Sequence, residues 1–323
     1  MSGTKYEVYD ISGVDLSNFE AMGTKSKFWY RTDQGDFRLF KATVAIDKNK
    51  HEIQRYGEDW AEKIVCEIAK LLNIPCANYE LAIKDGQVGV ISDNFVEHGH
   101  EMVHGNQIIS HILKIATKRE VEIHFKNHLL SRVIVSLQHV VKNKPMNWNS
   151  LPDIKTAFDV FCGYLMLDAL VSNQDRHDEN WGMIVSEQGK VHLAPTYDHA
   201  ASLARNESDD KRLARLKSKD QGQRIETYVK RAKSQILDVK GKRLKTLGAF
   251  EASGYINPKA ALSWLAILEH TPENAFYDII CNIPDDRMSE VAKRFTYELV
   301  KANRINLLKE KDFLLQRMTE LET

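Results

Sequence analysis

In the stretch NQDRHDENWG, residues 173–182, Asp175 and Asn180 stand five positions apart, and Tyr197-Asp198-His199 follows downstream. Asp, then Asn five residues on, then a hairpin, then Asp is an order that suits phosphoryl transfer. One carboxylate orients an attacking hydroxyl and accepts its proton, while an amide oxygen and a second carboxylate hold magnesium against nucleotide phosphates. Magnesium takes oxygen ligands, so Asn and Asp serve where His and Cys would not. Asp175 is therefore the candidate base, and Asn180 and Asp198 are the candidate metal ligands. Arg176 and His177 either shape the loop or touch the transferring group. The plainer reading, helix-end and turn residues, fits any one of these positions; it fits the ordered set poorly.

The same chemistry asks for a lysine on a strand, to hold the α- and β-phosphates, and for a helix carboxylate to position it. Lys41 interrupts the apolar run Phe37 to Val44, and a buried lysine is costly unless paired. Glu62 on the following helix is the preferred partner, with Glu58 one turn earlier as the alternate. Gly23-Thr24-Lys25-Ser26-Lys27 is the candidate phosphate cover, acting through backbone N–H groups, although it has one glycine where protein kinases usually place three.

These residues need elements to place them. Lys27–Arg31 and Phe37–Val44 read as strands around a turn at Thr32–Asp36, and Tyr79–Ile83 and Val88–Ser92 as strands around Lys84–Gln87. Between the pairs, Trp60, Ile64, Ile68 and Leu71 or Leu72 give a helical stripe over Gly57–Leu72. From about Asn106 the periodicity is helical, over Gln107–Ala116, Val121–Val141, Thr156–Val171, Pro258–His270, Pro272–Ile280 and Asp286–Leu321. One β interruption, Trp181–Val185 with Val191–Pro195, breaks that half. Phe158, Phe161, Cys162, Leu165, Met166 and Ala169 share one face of the helix before the polar loop, and Trp181 follows it as an anchor in the core. The expectation is two lobes crossing near Asn94–Glu97, with a cleft between them.

Composition sets the outer bounds. With 323 residues, 43% hydrophobic, and 45 basic against 45 acidic residues, net charge names no partner and the chain reads as globular. No run approaches the ~18–20 apolar residues of a membrane span, and Met1–Asp10 lacks a signal-type apolar core, so a cytoplasmic protein is expected. Cys66, Cys76, Cys162 and Cys281 form no CxxC pair and read as reduced, buried thiols. Lys211–Lys245 holds thirteen Lys or Arg against three acids. That run reads first as a solvated helical face, with an acidic or phosphate-bearing partner as the sharper alternative; no nucleic-acid module accompanies it. His98, His100 and His104 read as an exposed loop rather than a metal site. Phe28, Trp29 and Tyr30 read as packing within the first lobe.

The chain resembles the HipA-like kinases, bacterial Ser/Thr protein kinases that include toxins of toxin–antitoxin pairs. The resemblance rests on Asn173, Asp175-Arg176-His177 and Asn180, on Leu193-Ala194-Pro195-Thr196-Tyr197-Asp198, and on Gly57–Glu62 with Ala69–Pro75. It covers roughly Gly23 to Ser202, does not extend to the extra N-terminal subdomain of full-length members, and gives no clear match to their autophosphorylated serine, for which Ser26 is the nearest candidate. It implies an α+β, two-lobed protein-kinase-like fold: residues 1–96 as a small β-rich nucleotide-binding lobe with one main helix, residues 97–323 as a large helical lobe carrying the catalytic loop. It further implies ATP and Mg2+ as cofactors, an adenine-contacting hinge at Asp93, Phe95 and Val96, a protein Ser/Thr acceptor, and a small helix-turn-helix antitoxin as a partner. The Asp-Arg-His-x-x-Asn loop is also similar to that of phosphatidylinositol 3-kinases. A lipid or small-molecule acceptor thus stays open, as does a nucleotide-binding pseudokinase scaffold.

Overall fold

The computed structural model describes residues 4–14, 25–46, 52–118 and 125–322. Its N-terminal part is a sheet of β1 (Val8–Asp10), β2 (Lys25–Arg31), β3 (Phe37–Ile46) and β4 (Glu52–Gln54), then, after helix α1 (Glu58–Leu71), β5 (Tyr79–Lys84) and β6 (Gln87–Asp93). The strand order is β1-β5-β6-β3-β2, with β4 on β3. Only β1 runs parallel to its neighbour. Both expected hairpins form at the residues that favour left-handed backbone. Gly35 has φ +91°, and Asp85 and Gly86 have φ +49° and +79°, the double positive φ of a tight two-residue turn. Lys41 lies mid-sheet on β3, opposite Lys27 of β2 and Val90 of β6.

The C-terminal part is mainly helical: β7 (Glu101–His104), α2 (Gly105–Thr117), α3 (Leu130–His139), α4 (Ala157–Val171), β8 (Gly182–Val185), β9 (Val191–Leu193), α5 (Asp209–Lys217), α6 (Ile225–Tyr228), β10 (Lys233–Leu237), β11 (Arg243–Lys245), α7 (Thr246–Ile256), α8 (Pro258–His270), α9 (Glu273–Cys281), α10 (Glu290–Leu308) and α11 (Lys311–Glu322). Helix α4 is its axis. Every residue of α4 except Asp159 is buried, so the helix is apolar all round rather than on the one face the spacing suggests, because α3, α7, α8 and α10 surround it. Thr156 caps its start in a reciprocal box with Asp159. One apolar cluster runs from Ile64 and Ile68 of α1 through Phe161 and Leu165 of α4 to Trp264 of α8, so both parts share a core. Phe28, Tyr30 and Phe40 form a second cluster on the sheet.

Four expectations change. The segment after His98 is not all loop, since Glu101–His104 forms β7 and pairs with β8 to make a three-stranded sheet with β9. The basic run is not one helical face, because β10 and β11 form a ribbon within it. The long helix from Asp286 is two, α10 and α11, broken near Lys309 with no Gly or Pro to mark the break. The helix expected over Val121–Val141 starts at Leu130, after a short 3-10 turn at Phe125–Asn127; residues 119–124 lie outside the described residues. Among the described residues no helix is long and apolar enough to cross a membrane, and the four cysteines are free.

Candidate active site

The polar loop between α4 and β8 is held from behind. Ser172 closes α4 in the left-handed region, φ +52°, and the Asp168 carboxylate accepts hydrogen bonds from Asn173 Nδ2 and from Arg176 Nε and Nη2, each at 2.8 Å. Arg176 is completely buried. Its Nη1 donates to the Asn180 carbonyl at 2.6 Å and its Nη2 to Thr196 Oγ1 at 2.8 Å. Burial opposes the guanidinium charge, but Asp168 more than offsets it and keeps Arg176 protonated. Of the two roles open to Arg176, contact with a transferring group is therefore corrected to shaping the loop: every direction it can donate in faces protein. His177, half-buried, accepts the Glu179 N–H on Nδ1 at 3.1 Å and the Asn180 N–H on its carbonyl at 3.0 Å, which closes the turn.

Asp175 is pinned by its backbone. Its N–H donates to Asn173 Oδ1 at 3.1 Å and its carbonyl accepts from Asn180 Nδ2 at 2.7 Å, with the side chain half-exposed. That second bond commits the Asn180 amide nitrogen and leaves its amide oxygen as the acceptor. Across the loop, the Tyr197 hydroxyl donates to the Glu179 carbonyl at 2.6 Å, and His104 Nδ1 lies 3.0 Å from both. Together with Arg176, these contacts fasten the Asn180 segment to the strand that carries Asp198.

Asp198 adopts φ +56°, a left-handed conformation that Asp tolerates better than most residues, at the end of the chain segment following β9. Its Oδ1 lies 2.6 Å from Lys41 Nζ, and Lys41 also reaches Glu62 Oε1 at 3.0 Å. Glu58, the alternate, pairs with Arg205 at 3.0 Å instead. Burial works against the Lys41 charge, yet Asp198 and then Glu62 outweigh it and hold the ammonium well above its usual range. Burial likewise pushes the Glu62 carboxyl up while Lys41 pulls it back. The other Glu62 oxygen, Oε2, accepts the backbone N–H of His199 at 2.8 Å. A clamped ammonium, a half-exposed carboxylate and two hard oxygens on tethered segments form a set able to bind a metal-bound polyphosphate and take a proton from a hydroxyl.

The remaining candidates lie at the edges of this arrangement. The Asp93 carboxylate, closing β6, holds Arg38 at 2.8 Å and Asn78 at 2.9 Å, while the Val96 N–H donates to Asn94 Oδ1 at 3.1 Å. Phe95 stacks on Tyr197 with centroids 5.6 Å apart, beside Asp198. Gly23 and Thr24 lie outside the described residues; Lys25 and Ser26 begin β2. Sequence reasoning missed Asp168, Thr196, His104, Tyr197 and His199. Asp168 had a signal, a lone acid inside the apolar helix 157–171, which needs a buried partner; the others had none.

Trp181 anchors the far end of the loop. It is 2% exposed, meets Phe161 edge-on at 5.7 Å, and packs where a Cβ on Gly105 would lie 2.2 Å from its ring. Its Nε1 donates to His128 Nε2 at 3.1 Å, and burial pushes the His128 imidazole down to about 3. Because the fold holds the neutral ring, this stabilisation is complete above the ordinary histidine value of about 6.5 and is lost as pH falls from there towards 3. His128→Gln is expected to lower Tm at pH 7 and to flatten the fall in Tm between pH 6.5 and 4, measured by thermal melts of both proteins.

No family model matches the sequence, and neither does any curated protein. Solved structures do match its fold. A Helicobacter pylori proinflammatory kinase, CtkA, superposes with a TM-score of 0.71 at 17% identity, covering 98% of this chain and 99% of that one. HipA of the Shewanella oneidensis MR-1 toxin–antitoxin system, solved with HipB and its operator DNA, superposes with a TM-score of 0.50 at 10% identity, over 96% of this chain and 69% of that one. At such identities the likeness is one of fold: the chain has the two-lobed α+β architecture of CtkA and HipA.

Proposed function

We propose that the chain is an ATP- and magnesium-dependent kinase that transfers the γ-phosphoryl group to a serine or threonine hydroxyl of a protein. The observation that carries this reading is Lys41 Nζ held between Glu62 and Asp198, with Asp198 tethered through Arg176 and Tyr197 to the Asp175–Asn180 loop. A buried lysine clamped by two carboxylates is costly to maintain for packing alone; it is well made for holding phosphate oxygens.

The donor set suits magnesium, since the Asn180 amide oxygen and the Asp198 carboxylate are hard oxygens and Mg2+ completes its shell from phosphate and water. When bound, magnesium neutralises charge on the β- and γ-phosphate oxygens. Lys41 contacts the α- and β-phosphates. Phe95 walls the adenine beside the Asp93 and Val96 backbone, and the Gly23–Ser26 segment covers the phosphates. Asp175 accepts the proton of the acceptor hydroxyl as its oxygen bonds to the γ-phosphorus and the bond to the β-phosphate oxygen breaks, releasing ADP. Positioning and charge neutralisation supply most of the acceleration.

Incubating the protein with magnesium and γ-labelled ATP in lysate, then mapping label by mass spectrometry, tests this. Label on Ser or Thr that vanishes with Lys41→Met, Asp198→Asn or a chelator is the expected result; clear ATP binding with no label on any acceptor would sink the reading. What supports a toxin role is the resemblance to the HipA-like kinases together with the HipA fold. Its test is co-purification with a small helix-turn-helix protein encoded beside the chain.

A further inference from the structure

The excess of ten positive charges between Lys211 and Lys245 divides in two on folding. Its first part is neutralised in place. On α5, Arg212 pairs with Asp209 at 2.7 Å, while Arg215 approaches Glu207 at 3.8 Å and lies over the Tyr228 ring. Its second part is not: Lys230, Arg231, Arg243 and Lys245 are exposed, and none forms an ion pair among the described residues.

Those four cations line two adjoining hollows. One, of about 90 Å³, is bounded by Ser172 and Gln174 at the head of the polar loop and by Arg231. The other, of about 400 Å³, is lined by Lys230, Arg243 and Lys245. Val229 and Ala232 line both, so the hollows form one groove, and it begins one residue from Asp175. The first turn of α7 also lines it at Thr246 to Gly248, with no acid in that turn and no side-chain cap, which leaves the helix's positive end facing the groove. Glu251 is the single acid among the lining residues, and burial raises its carboxyl, favouring the neutral form. A cleft lined by one sign of charge concentrates ligands of the other.

We infer that this groove takes an acidic stretch of the acceptor protein, so that the hydroxyls phosphorylated are those flanked by aspartate, glutamate or phosphorylated residues. The inference rests on the kinase reading above, because Asp175 fixes where the acceptor hydroxyl stands. A peptide fits better than a lipid surface because the charges line a hollow leading to the loop, which an extended chain can enter and a bilayer cannot.

Serine peptides with a single Asp or Glu moved through the positions around the hydroxyl, each compared with a neutral parent, provide the test. The best acidic peptide is expected to exceed the parent by about tenfold in kcat/KM. The combined variant Lys230→Gln, Arg231→Gln, Arg243→Gln and Lys245→Gln should abolish that preference and leave the KM for ATP unchanged. A second arm needs no transfer: anisotropy of the same labelled peptides on the Lys41→Met protein should show salt-sensitive binding of the acidic peptide, lost when the four substitutions are added. If the acidic peptide binds but no peptide is phosphorylated, the kinase reading fails and the groove stands. Equal treatment of acidic and neutral peptides in both arms overturns the groove. So does a four-fold variant that keeps the peptide preference while losing binding to phosphatidylserine vesicles, since the charges would then serve a membrane.

Discussion

Asp175→Asn is expected to lower kcat by roughly 10²- to 10⁴-fold, the range for loss of a positioned general base, with the melting temperature unchanged. The substitution keeps the size of the side chain and leaves intact both backbone bonds that hold the residue, from its N–H to Asn173 and from Asn180 to its carbonyl. What it removes is the proton acceptor. Because ATP is held elsewhere, by Lys41 and the hinge in the proposed arrangement, its KM should stay close to wild type, so the loss falls on kcat. Single-turnover assays on a phosphorylated acceptor separate the two parameters; a variant that transfers at the wild-type rate would remove Asp175 from the mechanism.

Arg176→Met should cost about 3–5 kcal/mol of unfolding free energy, the penalty for leaving one member of a buried ion pair alone. Asp168 would keep only its bond from Asn173, at 2% exposure, in the middle of an apolar helix. The same change frees the Asn180 carbonyl and Thr196 from their shared donor, so activity should fall even in the fraction that stays folded. The double variant Asp168→Leu with Arg176→Met removes both charges and should recover a measurable part of the stability but not the activity. Urea midpoints decide it: an unchanged midpoint for the single variant would mean that the guanidinium does not hold the loop.

The parts of this fold legible in the sequence are those whose causes are local. Asn257 and Pro258 cap and start α8, and the helix runs to His270 as the spacing predicts. Asp85-Gly86 sets a hairpin whatever else surrounds it. Strand β7 and the β10–β11 ribbon have no such signal: they are short, their residues are largely polar, and their pairing depends on partners such as Ile184 opposite Met102, far away in the chain. The break between α10 and α11 is likewise set by packing, α11 turning back onto α8. At the site, Lys41 stood out because a charge inside an apolar strand needs a partner, and Glu62 lay one helix away. Arg176 did not declare its role, because in sequence it is one more charge in a polar loop, and only the burial of that loop's inner side makes it a tether.

The two oxygens of Glu62 have a further consequence. One faces the sheet through Lys41, the other faces the C-terminal part through the His199 N–H, and both sit on one rigid carboxylate in α1. A tilt of α1 that withdraws one oxygen withdraws the other, so seating the lysine and aligning the segment that bears Asp198 become a single event. The protein thus carries a logical conjunction in one side chain: readiness to transfer phosphate is set for both halves together, or for neither.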